Sequence, residues 1–269
     1  MEQMDKGRSV MRSKYNATNE DFARTWDRCL ELVPATRTEL LVEKAAEEVR
    51  RHAAGKRVAY GWSGGKDSQA LRVVAERAGI FDCVLSFCSL EWPDMERWVK
   101  TAAPPGLVIE RKTEVNLDFL VKHPHLLFPA SGKIGYFYSS KITHWGQQKY
   151  YSERALDLML YGRRHQDGNF IGPGGVHTNR NGFTQLCPLR DWTHEETMAV
   201  AKRAGLPMPP VYNYANGWKS GTGPWSGRQG FATKTDGWMA TWTADPDVVR
   251  EAATKLDSAR EFMAVRGLT

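Results

Sequence analysis

Cysteine is scarce in this sequence, and the few that occur are not arranged as a site. The 269 residues contain four cysteines, and no two of them form a C-x-x-C pair. A zinc knuckle and a disulfide framework are therefore not indicated. Cys83 and Cys88 flank a short apolar run, which favours buried, apolar thiols. The other two cysteines are Cys29 and Cys187.

Long apolar runs are also lacking. The segment 1–14 is polar and has no apolar stretch of the kind that secretory signals contain. No run approaches the ~20 apolar residues that a helix needs to span a bilayer. We therefore expect a cytoplasmic protein that does not use a membrane.

The charge balance is moderately basic. Lys and Arg number 37 and Asp and Glu number 31, which leaves a formal net charge of +6. This excess suits a polyanionic ligand, either a nucleotide or a nucleic acid, although many basic proteins bind neither. The hydrophobic content of 41% is ordinary for a globular protein.

The order of apolar patterns predicts an α/β fold. Two helices come first, and short apolar strands bounded by glycine then alternate with helices. Such alternation indicates parallel pairing with right-handed crossovers, and hence a twisted sheet with helices on both faces. The predicted helices and strands of this part are 19–32, 38–53, 57–62, 68–78, 83–87, 95–102 and 107–110.

The second half of the chain is less regular. The aromatic and basic segment 133–145 cannot be assigned, and the predicted elements after it are a helix at 152–157, a strand at 158–161, a loop at 168–182 and a helix at 192–204. A final helix begins at Asp245 and Pro246, a cap followed by proline at the first helical position, and ends near Gly267. We predict four consecutive segments: a flexible tail 1–18, N-terminal helices 19–55, an α/β domain 56–212 and a Trp/Gly-rich C-terminal region 213–269.

A glycine-rich turn lies between the first predicted strand and the helix after it, with the sequence Ser63-Gly64-Gly65-Lys66-Asp67-Ser68. A strand that passes through such a turn into a helix directs backbone N–H groups outward, which together with the helix dipole attract an anion. Glycine lets a phosphate approach the backbone closely. The alternative is a tight turn in which Asp67 and Ser68 only cap the helix.

The turn is not a Walker loop, because the glycine spacing differs. It resembles the PP-loop signature S-G-G-x-D-S of the ATP pyrophosphatase superfamily, whose members cut ATP between the α and β phosphates. The resemblance implies that ATP and Mg²⁺ bind here, that the loop holds the leaving pyrophosphate and that Asp67 positions the metal. Lys66 matches a lysine found in many members. The implied fold is that of the adenine nucleotide alpha hydrolases.

Three further segments resemble one branch of that superfamily, which contains the phosphoadenylylsulfate (PAPS) reductases and the small subunit of sulfate adenylyltransferase. These segments are 91–95, 162–167 and 187–193. The resemblance implies that Arg164 is a phosphate or sulfate ligand beside Arg163, at the carboxyl end of the fourth predicted strand. Each segment also has an interpretation without a ligand. Segment 91–95 can be a solvated turn, 162–167 can contain a surface basic pair, and 187–193 can be a turn that sets the angle of the next helix.

Two features depart from the branch. The reductases carry a catalytic cysteine in a C-terminal segment, whereas this chain has no cysteine after Cys187. Asp167 stands where the branch has a longer glutamate. Because that catalytic cysteine is missing, reduction of a sulfonucleotide by a thiol is disfavoured. Lys133 and Lys141 have long basic side chains that can contact phosphates, but neither can be aligned with the branch.

The leading functional prediction is adenylyl transfer, in which an acceptor oxygen attacks the α-phosphorus of ATP and pyrophosphate leaves, with Lys66, Asp67 and Arg164 as the catalytic residues. Sulfate, a nucleobase and a carboxylate remain as acceptors. One alternative is a non-catalytic nucleotide-binding subunit or sensor that works beside a partner subunit. Another is a sulfonucleotide reductase or sulfurtransferase that lacks the usual C-terminal cysteine.

The C-terminal region combines tryptophans with glycines and basic residues. Such a segment can stack the bases of a nucleic acid. The alternative is a loop that aromatic anchors hold against the protein surface, and this alternative is somewhat favoured. The residues concerned are Trp218, Trp225, Trp238, Trp242, Lys219, Arg228 and Lys234.

Overall fold

The computed structural model describes residues 17–268. Its helices within this range are α1 Asn19–Leu32, α2 Ala35–Ala53, α3 Lys66–Arg77, α4 Pro93–Ala102, α5 Leu117–Lys122, α6 Gly132–Tyr138, α7 His144–Glu153, α8 His194–Arg203, α9 Gly217–Ser220, α10 Lys234–Ala244, α11 Pro246–Ala253 and α12 Asp257–Val265. Its strands are β1 Val58–Gly61, β2 Cys83–Cys88, β3 Leu107–Lys112, β4 Leu158–Leu160, β5 Val176–Thr178 and β6 Thr184–Leu186.

The strands form one six-stranded sheet in the order β3-β2-β1-β4-β6-β5, flanked by helices. The pairs β1–β4, β2–β3 and β4–β6 are parallel, as the alternating pattern predicts. The edge strand β5 is antiparallel to β6, so the sheet is mostly parallel, in agreement with the expected fold class. Antiparallel neighbours such as β5 and β6 can be joined by a short hairpin loop, whereas parallel strands need a longer crossover connection.

The described chain divides into two compact, interleaved units. Unit 1 contains the N-terminal part to Tyr60, together with 66–81 and 157–207, and unit 2 contains 61–65, 82–156 and the part from Met208 onward. The four consecutive segments expected from the sequence do not coincide with these units. The predicted tail 1–18 lies mostly outside the described residues; at its end, Thr18 caps α1 by accepting a hydrogen bond from the Asp21 amide.

The core of unit 1 is built from helices with small apolar faces. Ala46 and Val49 of α2, Ala70 and Val74 of α3 and Ala199 of α8 are all fully buried. Small side chains on facing helices allow the helices to approach closely. The predictions of α1 and of α8 are confirmed. Thr193 caps α8 and exchanges reciprocal hydrogen bonds with Glu196.

Unit 2 has an aromatic core in its C-terminal part. Phe128 contacts Trp238 edge-on at a centroid distance of 5.0 Å, and Trp225 lies 5.8 Å from Trp238. Gly237 makes this contact possible, since a Cβ atom there would overlap the Phe128 ring. These tryptophans and Trp218 are buried, which supports the anchor interpretation of the Trp-rich segment.

Three predictions of secondary structure are wrong. The helix expected at 152–157 lies earlier, at α7, and the chain leaves it through Ala155 with a left-handed φ of +46°. The loop expected at 168–182 contains β5. The helix expected from Pro246 to Gly267 is two helices, because Leu256 adopts an extended conformation between α11 and α12. Before them, α10 was not predicted.

The unassigned segment 133–145 is helical throughout. It runs through α6, continues as one π-helical turn at Ser139–Thr143 and enters α7. No helix within residues 17–268 combines the length and apolar character required to cross a bilayer.

Candidate functional site

The predicted phosphate loop follows β1 and leads into α3. Strand β1 ends at Gly61 and α3 begins at Lys66, so the strand–turn–helix context expected from the sequence is present. Gly64 has a φ of +74°, a conformation that residues with a Cβ rarely adopt. Gly64 and Gly65 are buried, whereas Ser63 is partly exposed.

In unit 2, aromatic side chains close around the two glycines. A Cβ atom on Gly64 would fall on the ring of Trp98, 2.7 Å from its Cη2. Trp98 is itself stacked on Trp62, with centroids 5.7 Å apart. A Cβ atom on Gly65 would lie 2.9 Å from the Tyr212 hydroxyl. Glycine is thus required by packing here, as well as by the backbone conformation.

In unit 1, the first turn of α3 carries a short ion pair. Lys66 is buried, and its Nζ lies 2.6 Å from Oδ2 of Asp67 and 5.8 Å from the centroid of the Phe22 ring. Burial lowers the pKa of Lys66, against the attraction of Asp67. Ser68, the last residue of the motif, is also buried.

Arg164 is fully inaccessible to solvent and is surrounded by acceptors from unit 1. Its Nη2 lies 2.9 Å from Asp167 Oδ2 and 2.8 Å from Nδ1 of His194. Its Nη1 donates to the carbonyl of Trp192 at 3.3 Å. Its Nε lies 3.0 Å from Asp67 Oδ1 in an ion pair that is poorly aligned for a hydrogen bond. The guanidinium therefore holds protein groups in this structure, and its predicted role as a phosphate ligand stays a prediction.

The imidazole of His194 completes this cluster. Because Arg164 can only donate, Nδ1 of His194 is the acceptor in this contact. The ring meets Phe22 edge-on at 5.0 Å, and the His194 amide donates to Gln166 Oε1 at 2.7 Å. We call Lys66, Asp67, Arg164, Asp167 and His194 the ion cluster.

Asp67 is ionised in this setting. Burial by itself raises its pKa, but the charges of Arg164 and Lys66 hold the pKa well below its ordinary value. Both carboxylate oxygens face these cations, and the magnesium role implied for Asp67 stays a prediction. Among residues 17–268, no group of three or more His, Cys, Asp or Glu is placed to hold a metal ion.

Gly162 and Arg163 precede the buried arginine. A Cβ atom on Gly162 would lie 2.8 Å from the carbonyl oxygen of Asp67, so glycine is needed for this close approach. Arg163 is partly exposed; it donates to Gln185 at 3.2 Å, and its guanidinium lies 4.8 Å from the centroid of the Tyr161 ring. Of the two adjacent arginines, only Arg163 is partly open to solvent.

The segment 91–95 lies in unit 2 and anchors a later loop. Arg228 is buried with its guanidinium 5.2 Å from the ring of Trp92 and 5.5 Å from that of Tyr214. It donates to the carbonyl of Val211 at 3.0 Å, and the Tyr214 hydroxyl donates to Asp94. The segment is therefore a packed turn and not the solvated one considered above.

The four cysteines are all buried. Burial raises the pKa of Cys29 and Cys88, and it raises the pKa of Cys187 to about 11. A thiol of this kind carries little thiolate at neutral pH and is a poor nucleophile. Lys133 and Lys141, the two unaligned lysines, are exposed.

Three residues that lie in this region had no site role predicted from the sequence. Gly162 and Asp167 belong to a segment that was noted for its arginines, and His194 follows the cap at Thr193. Their proximity to Asp67 and Arg164 depends on the packing of α8 against α3, which no local pattern reports. Phe22, in α1, carries no sequence signal at all.

No family model matches the chain, and no curated protein matches its sequence. Among solved structures, the PAPS reductase from Candida auris in a phosphate complex matches with a TM-score of 0.50 at 18% identity, covering 72% of this chain and 96% of the reductase. The chain has the fold of that reductase. This likeness confirms the fold class expected from the sequence and leaves the choice of branch as a proposal.

Two other structures are less similar. FMN adenylyltransferase from Candida glabrata, in complex with FAD and inorganic pyrophosphate, has a TM-score of 0.48 at 12% identity and covers 73% of this chain and 68% of its own. NAD⁺ synthetase from Burkholderia pseudomallei has a TM-score of 0.46 at 17% identity and covers 90% of this chain and 97% of its own.

Proposed function

We propose that the chain binds ATP and transfers its adenylyl group to an acceptor with release of pyrophosphate. The observation that carries this proposal is the position of the S-G-G-x-D-S turn, which follows β1 and opens α3 in a fold shared with a PAPS reductase. Open α/β sheets bind their ligands at the carboxyl ends of the strands. The motif and its context thus agree.

In the proposed step, an acceptor oxygen forms a bond to the α-phosphorus while the bond to the bridging oxygen breaks. The electron pair leaves with pyrophosphate. The amino end of α3 and the charge of Lys66, at its first residue, both favour an anion that departs there. Asp67 fixes the ammonium of Lys66, and Arg164 acts as a positioning residue that holds Asp67.

Thiol chemistry is not favoured by the side chains of this chain. All four cysteines are buried, and burial raises the pKa of three of them. Adenylyl transfer needs no thiol, because it consists mainly of positioning and charge neutralisation. This contrast favours the transferase over the reductase alternative.

Labelled ATP tests the proposal. Purified protein is incubated with ATP labelled at the α-phosphorus and, in parallel, at the γ-phosphorus, with a panel of acceptors. We expect the γ label in pyrophosphate and the α label in AMP or an adenylylated product. Release of the γ label as orthophosphate, with no AMP or adenylylated product, would show that the assignment is wrong.

A second candidate function is nucleotide binding without turnover, in a sensor or a subunit that needs a partner. The closed ion cluster favours it, because Asp67 is already neutralised by protein cations. This candidate predicts that ATP binds but is not cleaved, and that Asp67→Ala leaves the affinity unchanged. The transferase predicts that the same substitution lowers the rate of pyrophosphate release.

A further inference from the structure

A cavity in unit 2 is not used by the mechanism above. Its volume is about 290 Å³, and every residue that lines it belongs to this unit. Ser63, the first residue of the phosphate loop, lies on its wall together with Trp62. The remaining polar lining comes from distant parts of the chain and includes Ser86, Glu91, Gln147 and Thr222.

One wall of the cavity is helical and contains a π-helical turn. The π-helical turn Ser139–Thr143 joins α6 to α7 and contributes Ser139 and Thr143 to the lining. The carbonyl of Thr143 accepts a hydrogen bond from the Ser86 hydroxyl at 3.2 Å. Gly146 keeps α7 close to β2, because a Cβ atom there would overlap Ser86. Isolated π turns recur at functional sites, where they change which side chains face inward.

The cavity is polar but uncharged. None of the described residues that line it is Lys, Arg or His. Its acidic member, Glu91, is buried and accepts a hydrogen bond from the Cys88 amide at 2.9 Å. Burial raises the pKa of Glu91 to about 8, and it also raises the pKa of Tyr138. Both groups are therefore mainly protonated at neutral pH.

These properties separate the three acceptor classes. Sulfate and carboxylates are anions, and an anion that gives up part of its hydration in a site without a cation gains no compensating charge. A protonated carboxyl group has one O–H donor besides its acceptor oxygens, and a primary amide has two N–H donors and one acceptor oxygen. Amide and carboxyl side chains of this kind pair with the edges of nucleobases. The volume lies near the lower limit for small-molecule sites, so the occupant is small.

We propose that this cavity binds the acceptor and that the acceptor is a nucleobase with a lactam group, recognised by Glu91 and Gln147 beside Trp62. This inference rests on the proposed function for its chemistry. The lactam oxygen bonds to the α-phosphorus as pyrophosphate leaves with the electron pair of the broken bond, and the ring N–H proton passes to water. The product is a base adenylylated on oxygen.

Binding of nucleosides tests the proposal without requiring turnover. The full chain is saturated with α,β-methylene ATP, which cannot be cleaved between these phosphates, and is titrated with uridine, guanosine, inosine or sulfate by calorimetry. We expect at least one nucleoside to bind and sulfate not to bind. Binding of sulfate with no nucleoside binding would overturn the proposal.

Neighbouring glutamines provide a matched pair of variants. Gln147 is buried and lines the cavity, whereas Gln148 is exposed on the next position of α7. We expect Gln147→Leu to weaken nucleoside binding about tenfold, and Gln148→Leu to leave it unchanged. Glu91→Gln should retain binding within about threefold, because the amide keeps a donor and an acceptor. Equal affinities for Gln147→Leu and Gln148→Leu would contradict the proposal.

A second variant covers the case in which Gln147→Leu fails to fold. Thr222→Val removes a hydroxyl from the lining at nearly constant volume and should weaken nucleoside binding severalfold. An unchanged affinity in a variant that unfolds at the wild-type temperature would contradict the proposal.

Competition identifies the source of the base. If nucleosides displace α,β-methylene ATP, the cavity belongs to the adenine of ATP, and the acceptor proposal is wrong. If α,β-methylene ATP does not bind at all, the proposed function fails. In that case, nucleoside binding that depends on Gln147 still supports the base site, so the two failures are distinguishable.

Discussion

The ion cluster of unit 1 and the cavity of unit 2 use charge in opposite ways. In the cluster, Arg164 is fully buried and contacts Asp67, Asp167 and His194. In the cavity, no described lining residue is a cation, and Glu91 is mainly protonated at neutral pH. The comparison indicates that the charges around the buried Arg164 hold protein groups together, whereas the cavity presents uncharged polar groups to a ligand.

The largest expected effect is the loss of the buried guanidinium. Arg164→Ala removes a fully buried cation that contacts both Asp67 and Asp167, so we expect the free energy of unfolding to fall by about 3–5 kcal/mol. Arg163→Ala is the matched control; it removes a partly exposed side chain and should cost about 1 kcal/mol or less. Urea denaturation measures both. Similar losses for the two variants would show that the cluster does not carry the stability assigned to it.

The next effect concerns the phosphate loop. Gly64→Ala combines a left-handed φ with overlap on the Trp98 ring, and it should cost about 2–4 kcal/mol of unfolding free energy. Gly79→Ala has a similar φ of +83° but open space around the new methyl group. It should cost only about 1 kcal/mol. The difference between the two variants isolates the packing of Trp98 from the backbone conformation.

The charge of Asp67 should affect the rate of pyrophosphate release. Asp67→Asn removes the partner of Lys66, and losing one charged contact of about 1.5–3 kcal/mol lowers the rate of pyrophosphate release on the order of 10–100-fold. Asp82→Asn, at an exposed position, should leave the rate unchanged. Kinetics with labelled ATP measures both. A wild-type rate for Asp67→Asn would show that the ion cluster does not contribute to catalysis.

The last prediction concerns the pH dependence of stability that Glu91 confers. Because burial raises the pKa of Glu91 from 4.5 to about 8, the folded state binds more protons than the unfolded state between these values, and stability falls as the pH rises. The slope from this group is at most about 1.4 kcal/mol per pH unit. Glu91→Gln cannot ionise, so its stability should fall less over this range. Parallel curves for the two proteins would contradict the protonated state.

Local signals predicted much of the fold. The helices expected at 19–32 and 192–204 correspond to α1 and α8, and α8 begins after its cap at Thr193. The loop 63–68 was recognised from its own six residues and its neighbours. Each of these signals depends on contacts within a few positions along the chain, which is why sequence periodicity reports them.

Long-range packing accounts for what was missed. Arg164 was expected to be a phosphate or sulfate ligand, and its burial depends on contacts with His194 and Asp67, which are far from it in sequence. The antiparallel pairing of β5 depends on its partner β6, and the cavity depends on Gln147 and Thr222 meeting across the chain. The π turn has no periodic signature of its own. Such features become visible only when distant segments are assembled.

The most direct test of the account is a crystal structure of the protein with α,β-methylene ATP. The account predicts that the β- and γ-phosphates contact the backbone amides of residues 64–68 and the ammonium of Lys66. Trp98 or Tyr212 would have to move where they crowd the glycines. A nucleotide bound elsewhere, with the turn still covered by these two side chains, would contradict it.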